Sequence, residues 1–279
     1  MPYPIIDAHQ HFWKYDPLRY DWITDEMKIL RRDFLPRDME PFLRENQITG
    51  TVVVQSEESE MENEFQLANA EKYPFIKGVV GWLDLEADNL EDRLSYYQNF
   101  PKLKGFRQPL QGAKQRDKML RPAFQRGIGL LNKYGFSYDL LILTDQLPYA
   151  EKLISAYPDQ RFVIDHLAKP TIKQGILLEW KKAMQGFARY QNVFCKISGM
   201  VTEADWKEWK RDDFHPYITT IVETFGSKRI MFGSDWPVCL SAGNYGQVKQ
   251  IMNEYFRSYT VTEQADFFGA NAMAFYRIN

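Results

Sequence analysis

Eight short β-type runs punctuate the chain, at residues 5–9, 50–55, 76–83, 103–107, 137–143, 162–166, 193–198 and 230–234. Their starts fall roughly 25 to 45 residues apart, which leaves room for a helix and two loops after each strand, the spacing of alternating parallel strands and helices. Apolar residues recur at helical spacing in the segments between and after them, at 61–72, 90–99, 123–133, 146–156, 177–189, 217–225, 245–256 and 262–268. The pattern predicts an α/β fold. An open doubly wound sheet is compatible with it, but eight strands each followed by a helix favour closure into a (β/α)8 TIM-like barrel. No linker, low-complexity tract or charge run divides the chain, so residues 1–279 are read as one domain. Residues 12–47, between the first two strands, are rich in aromatics and Pro and are expected to form a long loop, a partial lid over the barrel mouth.

Composition narrows the function classes. With 44% hydrophobic and 15% aromatic residues the chain can bury a large core, and its 279 residues suit a single barrel. The 35 basic and 37 acidic residues are interspersed and nearly cancel, so no footprint for nucleic acid or an anionic membrane is present. Cys195 and Cys239 are far apart and outside any CxxC spacing, and no leader or long apolar stretch precedes the first strand. A reduced, cytoplasmic protein with two buried thiols is expected.

In a barrel, chemistry gathers at the C-terminal ends of the strands. His9-Gln10-His11 closes the first run, and side chains at i and i+2 of a strand share a side, so both imidazoles should leave it together. Gln55 ends the second run, Arg107 the fourth, His166 the sixth and Lys196 with Ser198 the seventh, while Asp235 followed by Trp236-Pro237 ends the eighth. Three of the four histidines thus sit at strand ends. Each residue alone has a plainer reading. Asp235 could cap a turn, His166 could be a core histidine, Arg107 could pair with a neighbouring carboxylate and Lys196 could snorkel. Their joint placement argues for a site.

These stretches resemble the amidohydrolase superfamily, and within it the sugar-lactonase-like branch of L-fucono- and L-rhamnono-lactonases. The resemblance is carried by Asp7-Ala8-His9-Gln10-His11-Phe12-Trp13, Tyr20-Asp21-Trp22-Ile23, Val52-Val53-Val54-Gln55, Gly78-Val79-Val80-Gly81-Trp82-Leu83-Asp84-Leu85, Lys104-Gly105-Phe106-Arg107, Asp165-His166-Leu167-Ala168-Lys169-Pro170, Lys196-Ile197-Ser198-Gly199 and Phe232-Gly233-Ser234-Asp235-Trp236-Pro237, in order along the chain. It implies a (β/α)8 hydrolase that opens the lactone ring of a sugar acid.

The chain departs from the superfamily's two-metal pattern. The fifth run ends in Leu141-Ile142-Leu143 without His, the fourth offers Arg107 rather than a bridging Lys or carboxylate, and His215 lies in an Asp-rich segment before Pro216 that reads as a helix start. Two alternatives remain: one divalent metal, zinc by its donor set, held by His9, His11 and Asp235, or no metal, with the histidines donating hydrogen bonds. In either case Asp235 is the expected general base on water, with Arg107 and His166 polarising the carbonyl.

Trp22, Trp82 and Trp236 offer flat apolar faces for a sugar ring, and Gln55 and Lys196 offer polar contacts. The expected partner is a small sugar lactone, with a homo-oligomer compatible and neither nucleic acid nor membrane. The competing readings are a lactonase of a dicarboxylate pyrone, a non-oxidative decarboxylase on the same scaffold, and a non-catalytic barrel that binds ligand.

Overall fold

The computed structural model of the protein describes residues 3–279. In chain order, β1 (Ile6–Gln10), α1 (Pro36–Glu45), β2 (Gly50–Val54), α2 (Glu60–Lys72), β3 (Ile76–Gly81), α3 (Leu90–Tyr97), β4 (Leu103–Phe106), α4 (Pro122–Lys133), β5 (Ser137–Leu140) and α5 (Leu147–Ala156) form the first part. They are followed by β6 (Phe162–Ile164), α6 (Leu178–Gln185), β7 (Val193–Ile197), α7 (Met200–Glu203), α8 (Arg211–Phe225), β8 (Ile230–Phe232), α9 (Tyr245–Tyr255), α10 (Val261–Ala265) and α11 (Asn271–Tyr276). The eight strands pair in parallel and in sequence order. The seam between first and last is closed by a parallel bridge of Gln10 with Trp236, in which His11 N donates to Trp236 O (2.7 Å) and Asp235 N to His9 O (2.8 Å). This is the expected barrel, a single domain.

The strands are short and covered on both faces, as all-parallel sheets require. Outside them lies a large core against the helices, with Val53, Val79, Phe106, Phe162 and Phe232 on the strand side. Inside, Ile6, Ala8, Val52, Val54, Val80, Val163 and Met231 pack against Ala272, Phe275, Tyr276 and Ile278. Those last residues close the N-terminal end of the barrel from below. Lys104 Nζ donates to Arg277 O, fastening the plug to the start of β4.

The pairing of β1 with β2 slips between Asp7 and Gln10, where three steps on β1 match two on β2. The slip changes which residues face the lumen. Ile6 and Ala8 face inward below it, and His9, directly after Ala8, faces inward above it, so that His9 and His11 project together while Asp7 and Gln10 turn outward. Asp7 then accepts from Ser234 N (2.9 Å) and the Tyr245 hydroxyl (2.9 Å), and Gln10 donates to Thr51 Oγ1.

The excursion 12–47 differs from the expected loop. Its second part is helical: α1 begins at Pro36, the Asp38 carboxylate accepts from Leu35 N at 2.8 Å, and Met39 and Leu43 are buried one turn apart. Pro41 inside the helix disguised this spacing. Earlier in the segment, Trp13 pairs with Phe34 in an antiparallel bridge, and the turn Asp25–Leu30 packs on the turn Val238–Ser241 that follows β8. The segment lines one wall of the mouth. α8 also starts six residues before the expected boundary and carries His215, exposed beside Tyr255, away from the barrel axis.

Candidate active site

Asp235 Oδ1 is the centre of the strand-end cluster. It lies 3.3 Å from His11 Nε2, 3.8 Å from His9 Nε2 and 3.9 Å from His166 Nε2. All three of these distances are to Oδ1. His9 is fully buried, and His11, His166, Arg107 and Asp235 are each at most 5% exposed. The sequence-predicted His9, His11, Asp235, His166 and Arg107 are therefore brought together.

Two glycines make room for them. A Cβ on Gly233 would lie 2.7 Å from His9 Cβ, and one on Gly199, at φ +63°, would lie 2.6 Å from His166 Nδ1. His166 itself opens a run of four residues, 166–169, with φ between +49° and +57°, and Asp235 has φ +56°. L-residues other than Asn and Asp rarely adopt this region.

The hydrogen bonds of His11 orient its ring. Its Nδ1 is 2.7 Å from Val54 O, a group that only accepts, so Nδ1 carries a proton. Nε2 faces a carboxylate oxygen at 3.3 Å, and either a proton or a metal cation between the two satisfies both. The ligand atoms of His9, His11 and Asp235 all lie within 4.8 Å of one another, as do those of His9, Asp165 and His166. An N/N/O donor set of this kind suits a divalent metal, so the residues present fit one.

Burial pushes His9 well below the usual imidazole range, with Lys196 and His166 adding to the effect and Asp165 opposing it. Burial likewise lowers His166 to about 4 against the pull of Asp235 and Asp165. Asp235 moves the other way. Burial alone would raise its carboxyl, but His166, the contact with His11 and then His9 carry it well below the carboxylate range. At neutral pH the His9 and His166 imidazoles are therefore neutral beside the ionised Asp235 carboxylate.

Arg107 is more committed than its strand-end position suggested. Its Nε and Nη2 donate to Gln55 Oε1 (3.1 and 2.9 Å), Nη2 also donates to Gln55 O, and Nη1 donates to Asp165 Oδ2 at 3.1 Å. Four of the five N–H groups are thereby used, and the fifth lies toward His9 Nε2, 3.3 Å away. Gln55, expected at the substrate, is 1% exposed and serves as the support of Arg107.

Lys196 and Trp236 also stand apart from the expected sugar contacts. The Lys196 ammonium is fully buried beneath His9 and paired with Asp139 (2.5 Å) and Asp165 (3.0 Å). β8 ends at Phe232, so strand alternation does not govern residue 236, and the Trp236 ring turns away among Phe12, Phe34 and Phe42. Trp22 and Trp82 are the more accessible of the expected tryptophans. Trp22 is 37% exposed and stands edge-on to Trp13, whose ring adjoins that of His11. Trp82 is half-buried just after β3, its backbone held by both ends of the Asn63 amide (2.7 and 2.8 Å).

Sequence reasoning passed over Asp139 and Asp165, both fully buried in the lumen. The available signal for Asp139 was a lone charge inside the apolar run Ser137–Leu140. Asp165 was masked by its neighbour His166, whose strand was expected to run two residues further.

Comparison with known proteins agrees with this geometry. The family model for amidohydrolases matches residues 6–278. The chain belongs to the amidohydrolase family. This amidohydrolase is 33% identical to the L-fucono-1,5-lactonase of Burkholderia multivorans and 34% identical to that of Burkholderia ambifaria, in each case over 98% of this chain and 96% of the relative. It superposes on a crystal structure of an amidohydrolase from Burkholderia multivorans with bound zinc at a TM-score of 0.96, with 33% identity, covering 99% of this chain and all of that one. A probable 2-pyrone-4,6-dicarboxylic acid hydrolase from Acinetobacter baumannii, at 17% identity and a TM-score of 0.81, shares the fold. No helix among the described residues is long and apolar enough to cross a membrane.

Proposed function

We propose that this amidohydrolase opens the lactone ring of a sugar acid, an aldonolactone of the deoxy-sugar type such as fuconolactone. The observation that carries the reading is the convergence of one ionised carboxylate, Asp235, with the Nε2 atoms of His9, His11 and His166 at 3.3 to 3.9 Å. A divalent metal, zinc, held by His9, His11 and Asp235 would polarise the lactone carbonyl and acidify water. Asp235 accepts the proton of the attacking water and returns it to the ring oxygen as the acyl bond breaks. His166 and Arg107, whose fifth N–H lies 3.3 Å from His9 Nε2, polarise the carbonyl oxygen as its charge develops. Trp22 and Trp82 hold the apolar face of the sugar, while Gln55, Lys196 and Trp236 act behind the site.

The charge of the mouth favours a neutral substrate over a dicarboxylate. A pyrone dicarboxylate needs free arginines, but Arg107 is largely occupied, Arg19 pairs with Glu57, Arg31 binds Asp25 and Ile23 O, and Arg32 lies over the Phe34 ring. A non-catalytic barrel is disfavoured because His9 Nε2 and Asp235 are near enough to share a water. Sequence identity favours the same reading, through the two L-fucono-1,5-lactonase relatives. A cytoplasmic setting belongs to it as well, supported by two buried, unpaired cysteines.

The test is acid release from a panel of aldonolactones, followed with a pH indicator before and after chelator treatment. Turnover of six-carbon deoxy-aldonolactones, lost with chelator and restored by zinc, is the expected result. No acid release from any lactone in the panel overturns the proposal, and turnover indifferent to chelator overturns its metal component.

A further inference from the structure

A chain of buried polar groups climbs the barrel from its closed end to His9. The Tyr276 hydroxyl, on the plug helix α11, donates to Asp139 Oδ2 at 2.7 Å. Lys196 Nζ donates to the same oxygen at 2.5 Å, and lies 3.0 Å from Asp165 Oδ1 and 3.2 Å from His9 Nδ1. Asp165 Oδ1 is itself 3.4 Å from His9 Nδ1, while Asp165 Oδ2 accepts from Arg107. His9, Asp139, Asp165 and Lys196 have no exposed surface.

Two groups therefore compete for His9 Nδ1. An ammonium can only donate and an ionised carboxylate can only accept. If Lys196 prevailed, the ring proton would sit on Nε2 and close that atom to a metal. If Asp165 prevails, Nδ1 carries the proton and the Nε2 lone pair faces Asp235. The short contact to Asp139 draws the ammonium toward the barrel floor, and Tyr276 aims that carboxylate. Arg107 independently requires an acceptor at Nε2, since its Nη1 N–H is directed there at 3.3 Å.

We propose that Asp139, aimed by Tyr276 from the far end of the barrel, is a positioning residue for His9: by anchoring Lys196 it leaves the Nδ1 proton to Asp165 and the Nε2 lone pair to the active site. This rests on the reading of His9 as a metal ligand, and it gives the plug helix a part in that site.

The experiment is ¹⁵N NMR of histidine-labelled, metal-free protein, which has four histidines to assign, together with zinc affinity measured by competition with a chromophoric chelator. His9 in the native protein is expected as the Nδ1–H tautomer. Asp139→Asn should move it toward Nε2–H and weaken zinc binding by about 10- to 100-fold, the range for losing an outer partner of a ligand. Tyr276→Phe, which removes one hydroxyl, should shift both readouts in the same direction by less, and it carries the test if Asp139→Asn does not fold. Adding Lys196→Met to Asp139→Asn removes the competitor and should restore the tautomer and the affinity, which a merely structural role would not do. An unchanged tautomer in both single variants, or no rescue in the double variant, overturns the proposal. Absence of zinc uptake by the native protein would instead overturn the metal reading, with the tautomer still deciding this one.

Discussion

Replacing Asp235 by Asn and by Ala separates its chemistry from its place in the fold. At φ +56° an Asn is accommodated about as well as Asp, whereas Ala pays the left-handed penalty of ~1–2 kcal/mol. Asn also removes a negative charge that His166, His11 and His9 hold ionised well below the usual carboxylate range, so it costs stability at neutral pH while keeping the turn. Metal-free Asp235→Asn should therefore melt below the metal-free native protein, and Asp235→Ala should melt lower still by ~2–6 °C.

The rate should not follow stability. A general base contributes about 10²–10⁴-fold, and Asn cannot take the proton of water, so both variants should lose on the order of 10³ in kcat, ~4 kcal/mol of barrier. Zinc supplied at about 100 times its Kd stabilises a binding protein by ~2.7 kcal/mol, and that gain should vanish in both variants. Thermal melts with and without zinc, beside the indicator assay, read all three quantities. An Asp235→Asn enzyme within tenfold of native turnover would refute the base assignment. A metal-free Asp235→Asn protein melting as low as the Ala variant would refute the backbone argument.

Other outcomes follow from single contacts. Gly233→Ala places a methyl 2.7 Å from His9 Cβ and 3.0 Å from Ser198 Cβ, so the imidazole must move, and a fall in kcat of about 10²-fold is expected in a protein whose far-UV circular dichroism is unchanged. Trp22→Ala should raise KM several-fold with kcat and melting temperature nearly constant, because the ring is 37% exposed at the wall of the mouth, and Michaelis curves on the preferred lactone will show it. Lys249→Met should stabilise the protein by ~1–2 kcal/mol at pH 7, since burial lowers the ammonium to about 8 and its compensation is the Phe268 ring and Asn253 Oδ1. The folded pKa lies below the unfolded value, so stability from this group is lost as pH falls through about 8. Melts across pH should find the gain of Lys249→Met full below that point and fading as pH approaches 10.5.

The strands were legible because a parallel barrel writes them as short apolar runs, and the polar residue after each run marks its functional end. Seven of the eight expected ends run one to three residues long, as at Leu140 and Ile164, because the site residues sit on turns just past the strands. α1 was hidden by Pro36 and Pro41 within an aromatic segment. The roles of Lys196 and Trp236 were hidden for a different reason. Their partners, Asp139 for one and Phe34 and Phe42 for the other, lie far away in sequence, and no local spacing records which way a side chain turns once the strand has ended. Tyr276, more than a hundred residues from Asp139, is the extreme case.

Strict alternation along a strand would place only every second residue of a barrel strand at the site, and this chain breaks it twice. The slip in β1 lets Ala8 and His9 both face inward. After β6, Asp165 faces the lumen and a regular strand would send His166 outward into the helices. The left-handed turn at 166–169 brings it back, so Asp165 and His166 share the site. Such a turn costs ~1 kcal/mol or more at each residue and persists where the surroundings over-determine it. Here Trp180 Nε1 donates to Leu167 O (2.7 Å), the Thr144 hydroxyl reaches Ala168 O and Lys169 O (3.2 and 3.3 Å), and Leu167 and Ala168 are fully buried. The strain is placed where it doubles the number of functional side chains that one strand end can deliver, which is how a barrel of three- to six-residue strands assembles three imidazoles around one carboxylate.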